Sequence, residues 1–74
     1  MTKIQDSERQ AARVALGQRL LLMRTRAGLS QERVAASLGV RRPTVTAWEN
    51  GDAEPKALDL QALADLFRVD INVL

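Results

Sequence analysis

Seventy-four residues with no cysteine and no histidine make one small domain held by neither disulfides nor zinc, so its stability must come from a compact helical core drawn from the 46% of hydrophobic residues. No apolar run approaches the roughly 18 residues of a membrane span, and the segment Met1-Thr2-Lys3-Ile4-Gln5-Asp6 holds no apolar signal, so a cytoplasmic protein without membrane partners is expected. The net charge of +2 hides an asymmetry: residues 1–48 carry nine Lys/Arg against three Asp/Glu, and residues 49–74 carry two against six, which suits the first two-thirds to a phosphate-bearing partner.

Almost every segment reads as helix. There is no Tyr, one Phe and no alternating β-branched run, so strands are not expected. The first helix is predicted to start near Asp6 or Ser7, with Gln10 completing a capping box if Ser7 is the cap. It runs to about Arg26, and Gly28 stops it. Ala12, Leu16, Leu20, Met23 and Ala27 recur every three or four residues as its core stripe. Val14, Leu21 and Leu22, with Ala11, form a second strip pointing roughly the other way, a candidate partner or dimer surface.

The second helix is predicted at about 31–38. Ser30 can cap it, Glu32 and Arg33 lie in its first turn, and Val34, Ala35 and Leu38 give one apolar face. Gly39 then supplies a left-handed residue for a sharp reversal. In the third helix, about 42–50, Pro43 falls in the first turn, where proline is tolerated; Val45 and Trp48 form the inner face and Gly51 ends it. After the loop Gly51-Asp52-Ala53-Glu54-Pro55, a fourth helix at about 57–67 buries Leu60, Leu63, Ala64 and Phe67. Asp70 can cap a last turn holding Ile71, Val73 and Leu74, a second candidate dimer surface. The expected fold is all-α: one domain over 1–74 with four or five helices, a motif core at 30–50, and residues 1–6 disordered.

Two short helices joined by so tight a turn must cross steeply, which is the helix-turn-helix of DNA-binding proteins. The blocks Leu29-Ser30-Gln31-Glu32, Val34-Ala35, Leu38-Gly39-Val40, Trp48-Glu49-Asn50-Gly51 and Glu54-Pro55 stand in one register. In that register the chain resembles the Cro and phage-repressor type of helix-turn-helix, the XRE family of bacterial regulators, over roughly residues 16–74. The resemblance implies a lambda-repressor-like domain whose third helix enters the major groove of double-stranded DNA.

At about 100° per residue, with Val45 and Trp48 inward, the residues Pro43, Ala47 and Asn50 face outward, flanked by Thr44 and Thr46, with Arg41 and Arg42 at the helix start. Arginine can donate two bonds to guanine O6 and N7, and Thr or Ala methyls can meet a thymine methyl. The family's base-reading positions correspond to Arg41, Arg42, Pro43, Thr44 and Ala47, with Arg42 the first candidate. The plainer alternative makes both arginines phosphate anchors. Gln31 lies where free backbone N–H groups and the helix dipole attract an anion, and the resemblance assigns Gln31 and Asn50 to phosphates, with Ser30 and Thr46 beside them. For Ser30 and Gln31 the alternative is capping alone. Arg24 and Glu49 match the family's internal ion pair, which fixes the first helix on the third; the alternative is an exposed pair.

Two features depart from the family pattern. The loop after the third helix, often basic, is Asp52-Ala53-Glu54 here, which repels phosphate; and Lys56 replaces the serine that often caps the fourth helix. The leading functional expectation is a transcriptional regulator binding a palindromic operator as a homodimer, and a repressor in preference to an activator, because occupancy of a promoter by itself blocks polymerase. A second reading is an antitoxin or interaction module whose surface patch binds a protein such as a toxin. An enzyme is not expected: without His or Cys, and with no clustered carboxylates, there is no general base or nucleophile. No cofactor or metal is called for.

Overall fold

The computed structural model describes residues 5–74. The elements are α1 (Asp6–Arg26), α2 (Gln31–Leu38), α3 (Arg42–Asn50), α4 (Ala57–Phe67) and a terminal 3-10 turn (Ile71–Val73), with no strand among the described residues. Leu20, Val34, Ala35, Val45, Trp48, Leu63, Ala64 and Phe67 form the buried core, one or more from every α-helix. No polar or charged residue is fully buried among those described. α1 packs on α3, and α2 packs on both α3 and α4.

All four α-helices end the same way. A left-handed residue closes each one, and its own N–H and that of the following residue return to the last turn: Gly28 and Leu29 to Thr25 and Arg24, Gly39 and Val40 to Ala36 and Ala35, Gly51 and Asp52 to Trp48 and Ala47, Arg68 and Val69 to Asp65 and Ala64. This double return satisfies carbonyls that the helix itself leaves unpaired. Gly39, at φ 70, is the reversal between α2 and α3. Arg68, at φ 58, is the one non-glycine residue with positive φ among those described.

The helix starts differ more from expectation. The Ser30 hydroxyl accepts from the Arg33 N–H at 3.1 Å, and the Asp70 carboxylate accepts from the Asn72 N–H at 2.8 Å. Ser7 is not a cap: α1 begins at Asp6 behind Gln5, whose side chain makes no capping bond. Acidic Asp6 and Glu8 face the positive end of the helix dipole instead. Of residues 1–6, for which disorder is expected, Gln5 and Asp6 are described, and the others lie outside the described residues. At α4, Lys56 has no acceptor to offer, and only half of a capping box forms, with Asp59 accepting from the Lys56 N–H at 3.3 Å.

The stripe on α1 is shorter than predicted. Leu16, Leu20 and Met23 pack on the core, while Ala12 and Ala27 are exposed. At 1.5 Å per residue α1 is roughly 31 Å long and α3 roughly 14 Å, so the ends of α1 pass beyond what α3 can cover. Gly17, in mid-helix, is buried directly against α3, so closely that a Cβ at that position would lie 2.5 Å from the carbonyl oxygens of Trp48 and Glu49.

Candidate nucleic-acid interface

α3 has three faces. Val45 and Trp48 are buried in the core. Arg42, Thr46 and Glu49, at spacings of four and three, form a stripe whose side chains meet α2. The third face looks away from the protein, where Arg42, Pro43, Thr46, Ala47 and Asn50, joined by Asp52, line an open concavity. Arg41 is the exposed N-cap residue, and Thr44 is half-buried; neither lines that concavity.

A chain of polar contacts fixes α3 against α1 and α2. Arg24 Nε meets Glu49 Oε2 at 2.7 Å and Arg24 Nη2 donates to Glu49 Oε1 at 3.1 Å, a two-point pairing. The side chains are 15% and 6% exposed, so the pair is largely removed from water. Arg24 Nη1 also donates to the Leu29 carbonyl at 2.9 Å, tying down the segment between α1 and α2. The hydrogen bond to Glu49 raises the Arg24 pKa above its ordinary value, against a smaller desolvation effect.

Gln31 extends this chain to the recognition face. Its Nε2 donates to Glu49 Oε1 at 2.9 Å, and its Oε1 accepts from the Thr46 hydroxyl at 3.0 Å and from Arg42 Nε at 3.3 Å. Arg42 Nε also lies 3.2 Å from Glu32 Oε1. The Glu32 carboxyl is held below the usual carboxylate range, first by its own backbone N–H and then by the Arg42 charge. The first turn of α2 and the first residue of α3 thus share one polar cluster.

Three placements were not anticipated. Gln31 serves as a strut between α2 and α3, a role readable in retrospect from the 42/46/49 stripe that faces it. Asp52, assigned to the following loop, is folded back beside Ala47 and Asn50 by the return of its N–H to the Ala47 carbonyl at 2.9 Å. Arg13 Nε, also unforeseen, donates to the Gly51 carbonyl at 3.2 Å.

The two apolar surfaces are smaller than expected. Val14 is half-buried, because Gly51 at φ 78 brings the end of α3 onto it: a Cβ on Gly51 would lie 2.7 Å from Val14 Cγ2. Leu21 and Leu22, 43% and 45% exposed, remain open with the small Ala11. At the other end Ile71 and Val73 are exposed, but Leu74 packs against the core. Leu58, in the first turn of α4, is 85% exposed and belonged to neither expected surface.

A helix-turn-helix family model matches residues 20–74, well over half of the chain. The chain belongs to this helix-turn-helix family. Among solved structures, the restriction-modification controller protein C.AhdI from Aeromonas hydrophila superimposes with a TM-score of 0.80 at 33% identity, covering 85% of this chain and 96% of that one. No curated protein matches the sequence. The XRE-type helix-turn-helix is α2–turn–α3, and the protein is a DNA-binding transcriptional regulator. No helix among the described residues is long and apolar enough to cross a membrane.

Proposed function

We propose that the protein is a repressor that binds a palindromic operator as a homodimer, with α3 in the major groove and Arg42 reading a guanine. The observation that carries this reading is the state of Arg42. Its Nε edge is held by Gln31 and Glu32, while no hydrogen bond among the described residues engages Nη1 or Nη2. Those two groups are a fork suited to guanine O6 and N7. Ala47 and Pro43 offer apolar contact on the same face, and Asn50 closes it. Arg41 and Thr44 take lesser roles, Arg41 as a phosphate anchor at the start of α3. Ser30, Gln31 and Thr46 sit at the rim, where Gln31 has one amide proton beyond its bond to Glu49 to give to a phosphate.

Pairing would use the exposed C-terminal residues Ile71 and Val73 rather than Leu74, whose packing on the core makes it structural. The alternative surface, Leu21 and Leu22, also supports a second reading: an interaction module of the same fold whose α1 binds a partner protein such as a toxin. The similarity to a restriction-modification controller favours the regulator.

Selection of bound DNA from a random pool tests the reading. Two inverted half-sites about 34 Å apart, one helical turn, are expected. Arg42→Ala should erase preference at one position per half-site, costing about 1–3 kcal/mol there, whereas Gln31→Ala, which removes a phosphate contact and the acceptor that holds Arg42 Nε, should weaken binding to all sequences and lower that preference only in part. Equal loss on specific and random DNA for Arg42→Ala contradicts base reading.

A further inference from the structure

We propose that Glu32 is a positioning residue for base recognition: it holds Arg42 by Nε, aims the free Nη pair outward and keeps the guanidinium off neighbouring phosphates. The inference rests on the reading of Arg42 as the guanine-contacting residue. Glu32 is the second residue of α2 and Arg42 the first of α3, so the Gly39 reversal is what brings them to 3.2 Å. Gln31 Oε1 lies 3.3 Å from the same Nε, and Gln31 is itself fixed by Glu49 and Thr46. The guanidinium is therefore held at its stem by one hydrogen bond, to Gln31, and by the charge of Glu32, and its planar fork transmits that hold to the Nη pair.

Folding gains little from this contact. Both side chains are 61% exposed, and such pairs contribute little to stability. For DNA binding in general the carboxylate is a liability, since it places a negative charge at the rim that approaches phosphate. Its benefit lies in the arginine's direction. An unrestrained arginine at a helix start can swing to either phosphate or base, and only the second carries sequence information. An exposed ion pair biases such a choice by at most about fivefold.

The test uses the operator recovered by selection and a variant with the Arg42-contacted guanine replaced. Discrimination is the ratio of the two Kd values, measured for wild type, Glu32→Gln, Arg42→Ala and the double variant. Glu32→Gln should lower discrimination by about two- to fivefold, raise affinity for random DNA, and lower the thermal midpoint only slightly, through loss of a negative charge at the start of α2. In the Arg42→Ala background, Glu32→Gln should still raise random binding but leave discrimination where it was. Unchanged discrimination in Glu32→Gln, or an equal fall with and without Arg42, overturns the positioning role alone. If Arg42→Ala itself keeps full discrimination, the base-reading assignment fails, and the positioning role with it.

Discussion

At the scale of single residues, the C-terminal ends of the helices are governed by backbone conformation more than by side-chain chemistry. Arg68 performs at the end of α4 what glycines perform elsewhere, and it does so at φ 58 with a Cβ in the way. A left-handed residue other than glycine costs about 1–2 kcal/mol, against about 0.5–1 kcal/mol for the extra chain entropy of glycine. Arg68→Gly should therefore stabilise the domain by about 0.5–1 kcal/mol, read as a higher urea midpoint; a lower midpoint contradicts this. Glu49 is the opposite case, a residue whose side chain is indispensable. Glu49→Ala strands Arg24 and removes the acceptor of Gln31. Loss of up to about 3 kcal/mol is expected, below the figure for fully buried pairs because Arg24 keeps some water contact and its bond to Leu29. Thermal unfolding at an unchanged midpoint rules this out.

At the scale of elements, the contact of α1 with α3 is set by Gly17. The obstacles to a Cβ there are the Trp48 and Glu49 carbonyls, which are backbone and cannot rotate aside. Gly17→Ala should cost about 1–3 kcal/mol or more by overpacking, and should loosen the Arg24–Glu49 pairing; calorimetry showing no loss contradicts it. The bounds of α2, α3 and α4 were legible in the sequence because their glycines, Pro43 and apolar faces agree with one another. The start of α1 near Asp6 was legible as well, but its cap was not, since Gln5, Asp6, Ser7 and Glu8 can all serve a helix start and nothing local separates them. Val14 was misread for a different reason: what covers it, Gly51, is 37 residues away and no helical periodicity reports it. Gly17 itself was a missed signal, because a glycine in mid-helix is costly unless something passes close by. In the candidate interface, residue types and the outer face of α3 followed from helical geometry, whereas the grip of Gln31 and Glu32 on Arg42 depends on how α2 crosses α3.

At the scale of the whole molecule, charge and surface divide the labour. Arg33, Arg41 and Arg42 lie in the helix-turn-helix, whereas Arg9, Arg13 and Arg19 of α1 line concavities shared with Glu54; of the acidic residues of 49–74, Glu49 is in α3 and the others lie in α4 and its flanks. Self-association is expected to be weak in the absence of DNA, since few apolar side chains are exposed. Sedimentation with and without operator should show pairing lost in Ile71→Asp and retained in Leu21→Asp; the reverse pattern moves the interface to α1. The central claim, that the outer face of α3 reads the major groove through Arg42, is tested most directly by dimethyl sulfate protection on the selected operator. Guanine N7 lies in the major groove and adenine N3 in the minor groove. Bound wild-type protein should protect one guanine N7 in each half-site, and Arg42→Ala at saturating concentration should leave that guanine reactive. Protection confined to adenine N3, or guanine protection that persists in Arg42→Ala, contradicts the account.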